Sequence, residues 1–151
     1  MRIEEGWQPG EIERLVDTKN FTASRLIFAD EALYRLELQR IFARTWLYIG
    51  HESEIPKPGD FVTRRMGNDP VLLTRDQNGR IRVMLNSCTH RGTLLCRGDS
   101  GNTRGFTCSY HGWVFGTDGA LVATAEDHTY GGKLDFRRLD LRQARVGTYA
   151  G

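Results

Sequence analysis

Residues 86–113 read NSCTHRGTLLCRGDSGNTRGFTCSYHGW. Two short loops lie at the ends of this stretch, Cys88-Thr-His-Arg-Gly92 and Cys108-Ser-Tyr-His-Gly-Trp113. Each offers one thiol and one imidazole and then reaches a glycine, which tolerates the backbone angles of a tight loop. Cys108 lies eighteen positions beyond His90. The chain of 151 residues holds only four histidines and three cysteines, so two such Cys–His pairs are far from chance. Cys88, His90, Cys108 and His111 therefore stand out as a candidate metal-ligand set. Cys96 makes the cysteine count odd, so complete disulfide pairing is excluded and metal ligation comes first.

Zinc also accepts two cysteines and two histidines, usually with like ligands paired on separate elements. Each loop here mixes the two types, which suits a dinuclear 2Fe–2S cluster with two thiolates on one iron and two imidazoles on the other. A structural zinc module remains the alternative at this point. Charge counting gives the electronic consequence. Two ferric ions, two sulfides and two thiolates sum to zero, whereas four thiolates would leave the oxidised centre at −2. Neutral imidazoles thus ease electron addition and raise the reduction potential above that of an all-cysteine cluster. The outer imidazole nitrogens of His90 and His111 remain as hydrogen-bond donors and as the natural exit for an electron.

Around these loops the pattern is mainly β. Asp60 to Met66, Val71 to Arg75 and Arg80 to Asn86 read as strands, with a turn near Gly67-Asn68-Asp69-Pro70 and a hairpin at Asn78-Gly79. A second hairpin is expected at Thr117-Asp118-Gly119, between Trp113–Phe115 and Ala120–Ala123. Trp46-Leu-Tyr-Ile reads as a further short strand, Gly131-Gly132 as a loop, and Leu139, Leu141 and Val146 as a last strand returning to the sheet. Upstream, Asp30 and Glu31 suit a helix start, and the apolar spacing predicts a helix over 30–43. Residues 1–29 read as an extended or partly helical arm. The expected fold is a small antiparallel β sandwich preceded by an N-terminal helix, divided into an arm and helix over 1–44 and a cluster domain over 45–151. Trp46, Trp113 and Phe115 are expected in the core, Cys96 as a buried apolar thiol, and His51 and His128 as ordinary polar residues.

The bulk composition excludes several classes. Hydrophobic residues at 39% and charged residues at 26% are those of a globular domain. A net charge of +2, with scattered basic residues, argues against nucleic-acid binding. No stretch approaches the ~18 apolar residues of a membrane span, and the N-terminus, with Glu4 and Glu5 at once, does not read as a signal peptide. A cytoplasmic setting is expected.

Asn86-Ser-Cys-Thr-His-Arg-Gly92, Leu95-Cys96, Gly101-Asn102, Phe106-Thr-Cys-Ser-Tyr-His-Gly-Trp113 and Phe115 together resemble the Rieske domain of bacterial aromatic ring-hydroxylating oxygenases. The resemblance is to the N-terminal part of the α subunit and runs from the helix near residue 30 to the end. It implies that Cys88, His90, Cys108 and His111 hold the Rieske 2Fe–2S cluster and that Arg91, Tyr110 and Trp113 pack around it. Respiratory Rieske proteins carry a disulfide and a serine where this chain has Thr93, Tyr110 and Trp113, so the potential should fall low in the roughly −150 to +300 mV Rieske range. At Ala123-Thr-Ala-Glu126 many relatives have a proline, a mild departure.

The resemblance further implies an oxidoreductase whose mononuclear non-haem Fe(II) site lies in a catalytic domain beyond this chain. Tyr149-Ala150-Gly151 falls about where relatives enter that domain, so the chain is expected to be a fragment with no catalytic residue of its own. Implied partners are a ferredoxin or flavin reductase as electron donor, the catalytic domain of a neighbouring α subunit, and a β subunit. The competing function is a free-standing Rieske ferredoxin; such carriers begin close to the cluster domain, without a long arm and helix.

Overall fold

The computed structural model describes residues 6–125, 127–131, 133 and 135–151. Glu126 and Gly132, noted above for a departure and a loop, lie outside the described residues, as do 1–5. The chain divides into two compact units, residues 1–47 and 48–151.

The first unit contains short helices α1 (Pro9–Glu13), α2 (Leu26–Ala29) and α3 (Glu31–Glu37), with a two-residue hairpin β1 (Val16–Asp17) and β2 (Thr22–Ala23) between α1 and α2. Asp30 caps α3 as its sequence suggests, its carboxylate accepting from the Leu33 N–H at 2.9 Å and from the Trp7 indole at 2.7 Å. The expected helix over 30–43 is present, but it widens after Glu37 into a π-helical turn, Leu38–Phe42. Trp46, expected in the core, is instead 75% exposed.

The second unit is the antiparallel β sandwich. Strands β3 (Asp60–Met66), β4 (Asp69–Arg75), β5 (Ile81–Leu85) and β6 (Ser100–Asn102) form a sheet in the order β5-β4-β3-β6. Strands β7 (Gly105–Thr107), β8 (Val114–Gly116) and β9 (Leu121–Ala123) form a second sheet in that order. Because side chains alternate across a strand, β4 and β5 serve two cores. Leu72 and Met84 join Phe61, Phe106, Phe115 and Leu121 between the sheets, while Val71, Leu73 and Val83 join Ile55 and Val62 on the opposite face. Burial on both faces explains the continuous apolar run of β4. Both expected hairpins form. At the first, Gly79 takes a φ of +80°, and the Asp76 carboxylate accepts from the N–H groups of Asn78 and Arg80, both at 2.9 Å.

Two expected strands do not form. Trp46-Leu-Tyr-Ile lacks ladder pairing; Tyr48 is 83% exposed and Ile49 packs over the Ile55–Val83 core. A segment whose side chain covers a sheet face has its backbone out of line with the ladder. Leu139, Leu141 and Val146 likewise do not make a strand. Phe136–Leu139 is a 3-10 turn, after which a single bridge joins Gln143 to Met84. The reason is divided attachment. Leu85 donates to the Arg142 carbonyl and Ala144 to that of Val83, while Leu141 donates to the carbonyl of Gly119 in the other sheet's turn. The segment clasps both sheets and extends neither.

Candidate metal centre

The two loops share one backbone frame. In residues 88–93, Cys88 N–H donates to the Thr93 carbonyl at 2.8 Å and Gly92 N–H returns to the Cys88 carbonyl at 2.8 Å. In residues 108–113, Cys108 N–H donates to the Trp113 carbonyl at 2.8 Å and Gly112 N–H to the Cys108 carbonyl at 3.0 Å. Gly92 and Gly112 both turn through positive φ, +72° and +67°, so each closes its loop with a conformation that costs an L side chain about 1–2 kcal/mol. The flanks match as well, since Ser87 bridges Leu94 as Thr107 pairs with Val114.

This frame gathers like with like. Cys88 and Cys108 are 3% and 2% exposed and interact with one another, while the His90 and His111 rings meet edge to face with centroids 4.7 Å apart. Burial pushes the Cys88 thiol up and the neighbouring Cys108 adds to this, against N–H donors from His90 and Arg91 that favour the thiolate. Burial likewise lowers the His90 pKa, helped by the positive charges of His111 and Arg91, which favours the neutral imidazole that a metal ligand requires. His90 Nδ1 is buried without a hydrogen-bond partner. Such an orphan costs about 1–3 kcal/mol and fits a nitrogen meant for a metal. Among the described residues no three His, Cys, Asp or Glu converge as a site for a single ion would require. A dinuclear cluster asks for pairs, one pair at each iron. Cys88 with Cys108 and His90 with His111 supply them. All three cysteines are free thiols.

The surroundings include contacts that sequence reading missed. Asn86, read above only as the end of a strand and as part of the motif, is buried and clamps the first loop's exit: its amide donates to the Cys96 carbonyl and its oxygen accepts from Cys96 N–H, both at 2.7 Å. Thr89 Oγ1 donates to the Leu139 carbonyl at 2.6 Å. Trp113, 3% exposed, lies parallel to the His90 ring, 7° from coplanar with centroids 4.6 Å apart. Cys96 is half-buried at the margin of the core rather than buried, its thiol 3.7 Å from the Gly98 carbonyl. Its position after the clamp, beyond the tight loop, leaves one side open. His51 is exposed and caps the 3-10 turn Glu52–Glu54 by accepting from Ser53 N–H; His128 is exposed on the turn Asp127–Tyr130.

Paired buried thiols and paired imidazoles on twin β-sandwich loops define an iron–sulfur electron-transfer domain. A family model described as the Rieske [2Fe-2S] domain matches residues 45–134, and the chain belongs to that family. The cofactor of the family is the 2Fe–2S cluster, to which these residues are suited. Over 148 residues the chain is 51% identical to the biphenyl 2,3-dioxygenase subunit alpha of Rhodococcus jostii (strain RHA1), covering 96% of this chain and 32% of that protein. Naphthalene 1,2-dioxygenase with indole bound in its active site superposes with a TM-score of 0.82 at 45% identity, covering 91% of this chain and 31% of that one. A quaternary ammonium Rieske monooxygenase, whose structure was reported with inter-subunit electron transfer, superposes with a TM-score of 0.75 at 28% identity, over 84% of this chain and 34% of that one. The chain thus spans about a third of the length of the curated relative.

Proposed function

We propose that this chain is the electron-relay domain of an aromatic ring-hydroxylating oxygenase α subunit, with Cys88 and Cys108 on one iron and His90 and His111 on the other. The observation that carries the ligand assignment is the sorting of four side chains into a thiol pair and an imidazole pair, with His90 Nδ1 buried and unpartnered. The bound cluster supplies one-electron transfer. The chain's own residues hold it: the glycine-closed loops fix the thiols, and N–H groups of His90 and Arg91 support the sulfur of Cys88.

The likeness to biphenyl dioxygenase runs through the arm as well as the cluster domain, which sets this chain beside oxygenase subunits rather than free carriers. On that reading residues 45–151 form the relay and residues 1–44 an arm and helix. Electrons come from a ferredoxin or flavin reductase and pass to a mononuclear non-haem iron in the catalytic domain of a neighbouring α subunit, with a β subunit completing the assembly. Among the described residues no helix is long and apolar enough to cross a membrane, and the cytoplasm is the proposed setting.

Anaerobic reconstitution with iron and sulfide should give a red-brown protein whose reduced form shows a low-average-g EPR signal. Bound zinc without sulfide would overturn the reading. His90→Ala should abolish cluster formation while His128→Ala retains it, measured by iron and acid-labile sulfide content. Equal loss from both would show the ligand set to be wrong.

A further inference from the structure

The two imidazoles have unequal neighbours. His111 is covered by Tyr110, an exposed ring with its centroid 3.7 Å away and its plane tilted by 31°. His90 instead lies flat on Trp113, which is itself enclosed by core rings: Phe115 at 6.5 Å and Tyr130 edge-on at 6.4 Å. Trp113 comes from the second loop and His90 from the first, so the stack ties one loop's ligand to the other loop's closing residue. An indole seated this firmly leaves the imidazole little freedom to rotate about its Cβ–Cγ bond, and it keeps water from that face.

We propose that Trp113 is a positioning residue for the cluster, fixing the plane of His90 and holding the reduction potential down; this rests on the ligand assignment proposed above. The direction follows from charge. The oxidised centre is neutral and the reduced centre carries −1. The indole presents the negative face of its quadrupole to the stacked ring, and its bulk excludes the water that would solvate the added charge. Both effects disfavour reduction.

The test is an EPR-monitored redox titration of the reconstituted protein, with His90 and His111 intact. In Trp113→Leu the midpoint should rise, so that the ratio of reduced to oxidised cluster at fixed potential increases about tenfold, equivalent to 59 mV for a one-electron couple. Trp113→Phe keeps a ring in the slot and should give a smaller rise; it also serves if the leucine variant does not fold. Phe61→Leu, which removes a buried core ring paired with Phe106 rather than with Trp113 or His90, should lower stability and leave the midpoint in place. Pulsed EPR should show one of the two histidine nitrogen couplings altered in the Trp113 variants. An unchanged or lowered midpoint with the cluster retained, or an equal shift in Phe61→Leu, would overturn the proposal. Failure of the parent protein to form a cluster would instead overturn the ligand reading.

Discussion

Loops 88–93 and 108–113 close on the same pair of backbone hydrogen bonds, turn on a glycine at the same place, and are flanked by equivalent pairings. They differ in what stands on the frame. The histidine occupies the third place in the first loop and the fourth in the second. Two residues before the cysteine, the first loop has Asn86, a buried polar clamp, while the second has Phe106, packed edge-on against Phe61 with centroids 5.2 Å apart. The backbone frame therefore does not determine which atom becomes a ligand. It places the thiols symmetrically, and the shifted histidines then meet each other in the space between.

The sharpest way to break this likeness is at the glycines. A Cβ on Gly112 would lie 2.9 Å from the Cβ of Ala125, a short side chain that cannot swing aside, and would also bear the strain of positive φ. A Cβ on Gly92 would meet only Ser87 Oγ, at 3.9 Å. Gly112→Ala should cost about 3 kcal/mol, combining overpacking with left-handed strain, and Gly92→Ala about 1–2 kcal/mol from strain alone. Denaturant unfolding of both variants measures the gap. Equal losses would mean that the second loop is no more tightly packed than the first.

The clamp at the first loop comes next. Asn86→Ala removes two half-buried hydrogen bonds to Cys96 and takes the side-chain partner from both of its backbone groups. A loss of about 2–3 kcal/mol is expected, read from denaturant unfolding. Hydrogen exchange should accelerate at Cys96 and leave Cys108 protected. If both loops loosen together, they form one cooperative unit rather than two independently fastened ones.

A third turn, residues 76–80, has no cluster to hold and shows what side chains do for a turn without one. Burial works to raise the Asp76 pKa, but hydrogen bonds from Arg80 N–H, the Arg82 guanidinium and Asn78 N–H outweigh it and hold the carboxyl below its usual range. A depressed carboxylate contributes stability that is present above its unfolded pKa, near 3.8, and lost as pH falls through the lower folded value. Asp76→Asn should therefore destabilise by about 1–2 kcal/mol at neutral pH and flatten the loss of stability below about pH 4. Thermal melts across pH 2–6 provide the check. An unchanged acid limb would place the sensitive carboxylates elsewhere.

Much of this was legible in the chain. The four candidate ligands follow from type and spacing. Strand β3 falls at Asp60–Met66 as read, because turns bound it at both ends. The Asp30 cap follows from a short acceptor placed before an apolar period. The failures share a physical cause. Trp46–Ile49 has the composition of a strand, but composition does not say whether a neighbouring edge is free to pair. Residues 139–146 alternate suitably yet divide their hydrogen bonds between two sheets, a choice set by tertiary geometry. Asn86 looks like any strand-end asparagine until its burial is known, and the Trp113–His90 stack joins residues 23 positions apart. A single motif residue does not announce which distant ring it will cover.

The smallest expected effect separates the loops by their outer attachments. Thr89 and Ser109 each follow the cysteine of their loop, so on the shared frame they are counterparts. Thr89 reaches across to the Leu139 carbonyl at 2.6 Å and ties the first loop to the turn that begins the clasp between sheets, whereas Ser109 is exposed. Valine keeps the shape of threonine and removes only the donor. Thr89→Val should cost about 1 kcal/mol and speed hydrogen exchange over residues 136–144, because the clasp loses its anchor nearest the first loop. Ser109→Ala should stay within about 0.5 kcal/mol of the parent, as surface changes do, with exchange unchanged. If both hydroxyls prove silent, the clasp is held by the backbone bonds of Leu85, Ala144 and Leu141 and the side-chain bonds of Asp140 and Gln143, and the first loop's side-chain tether is a contact without energetic weight.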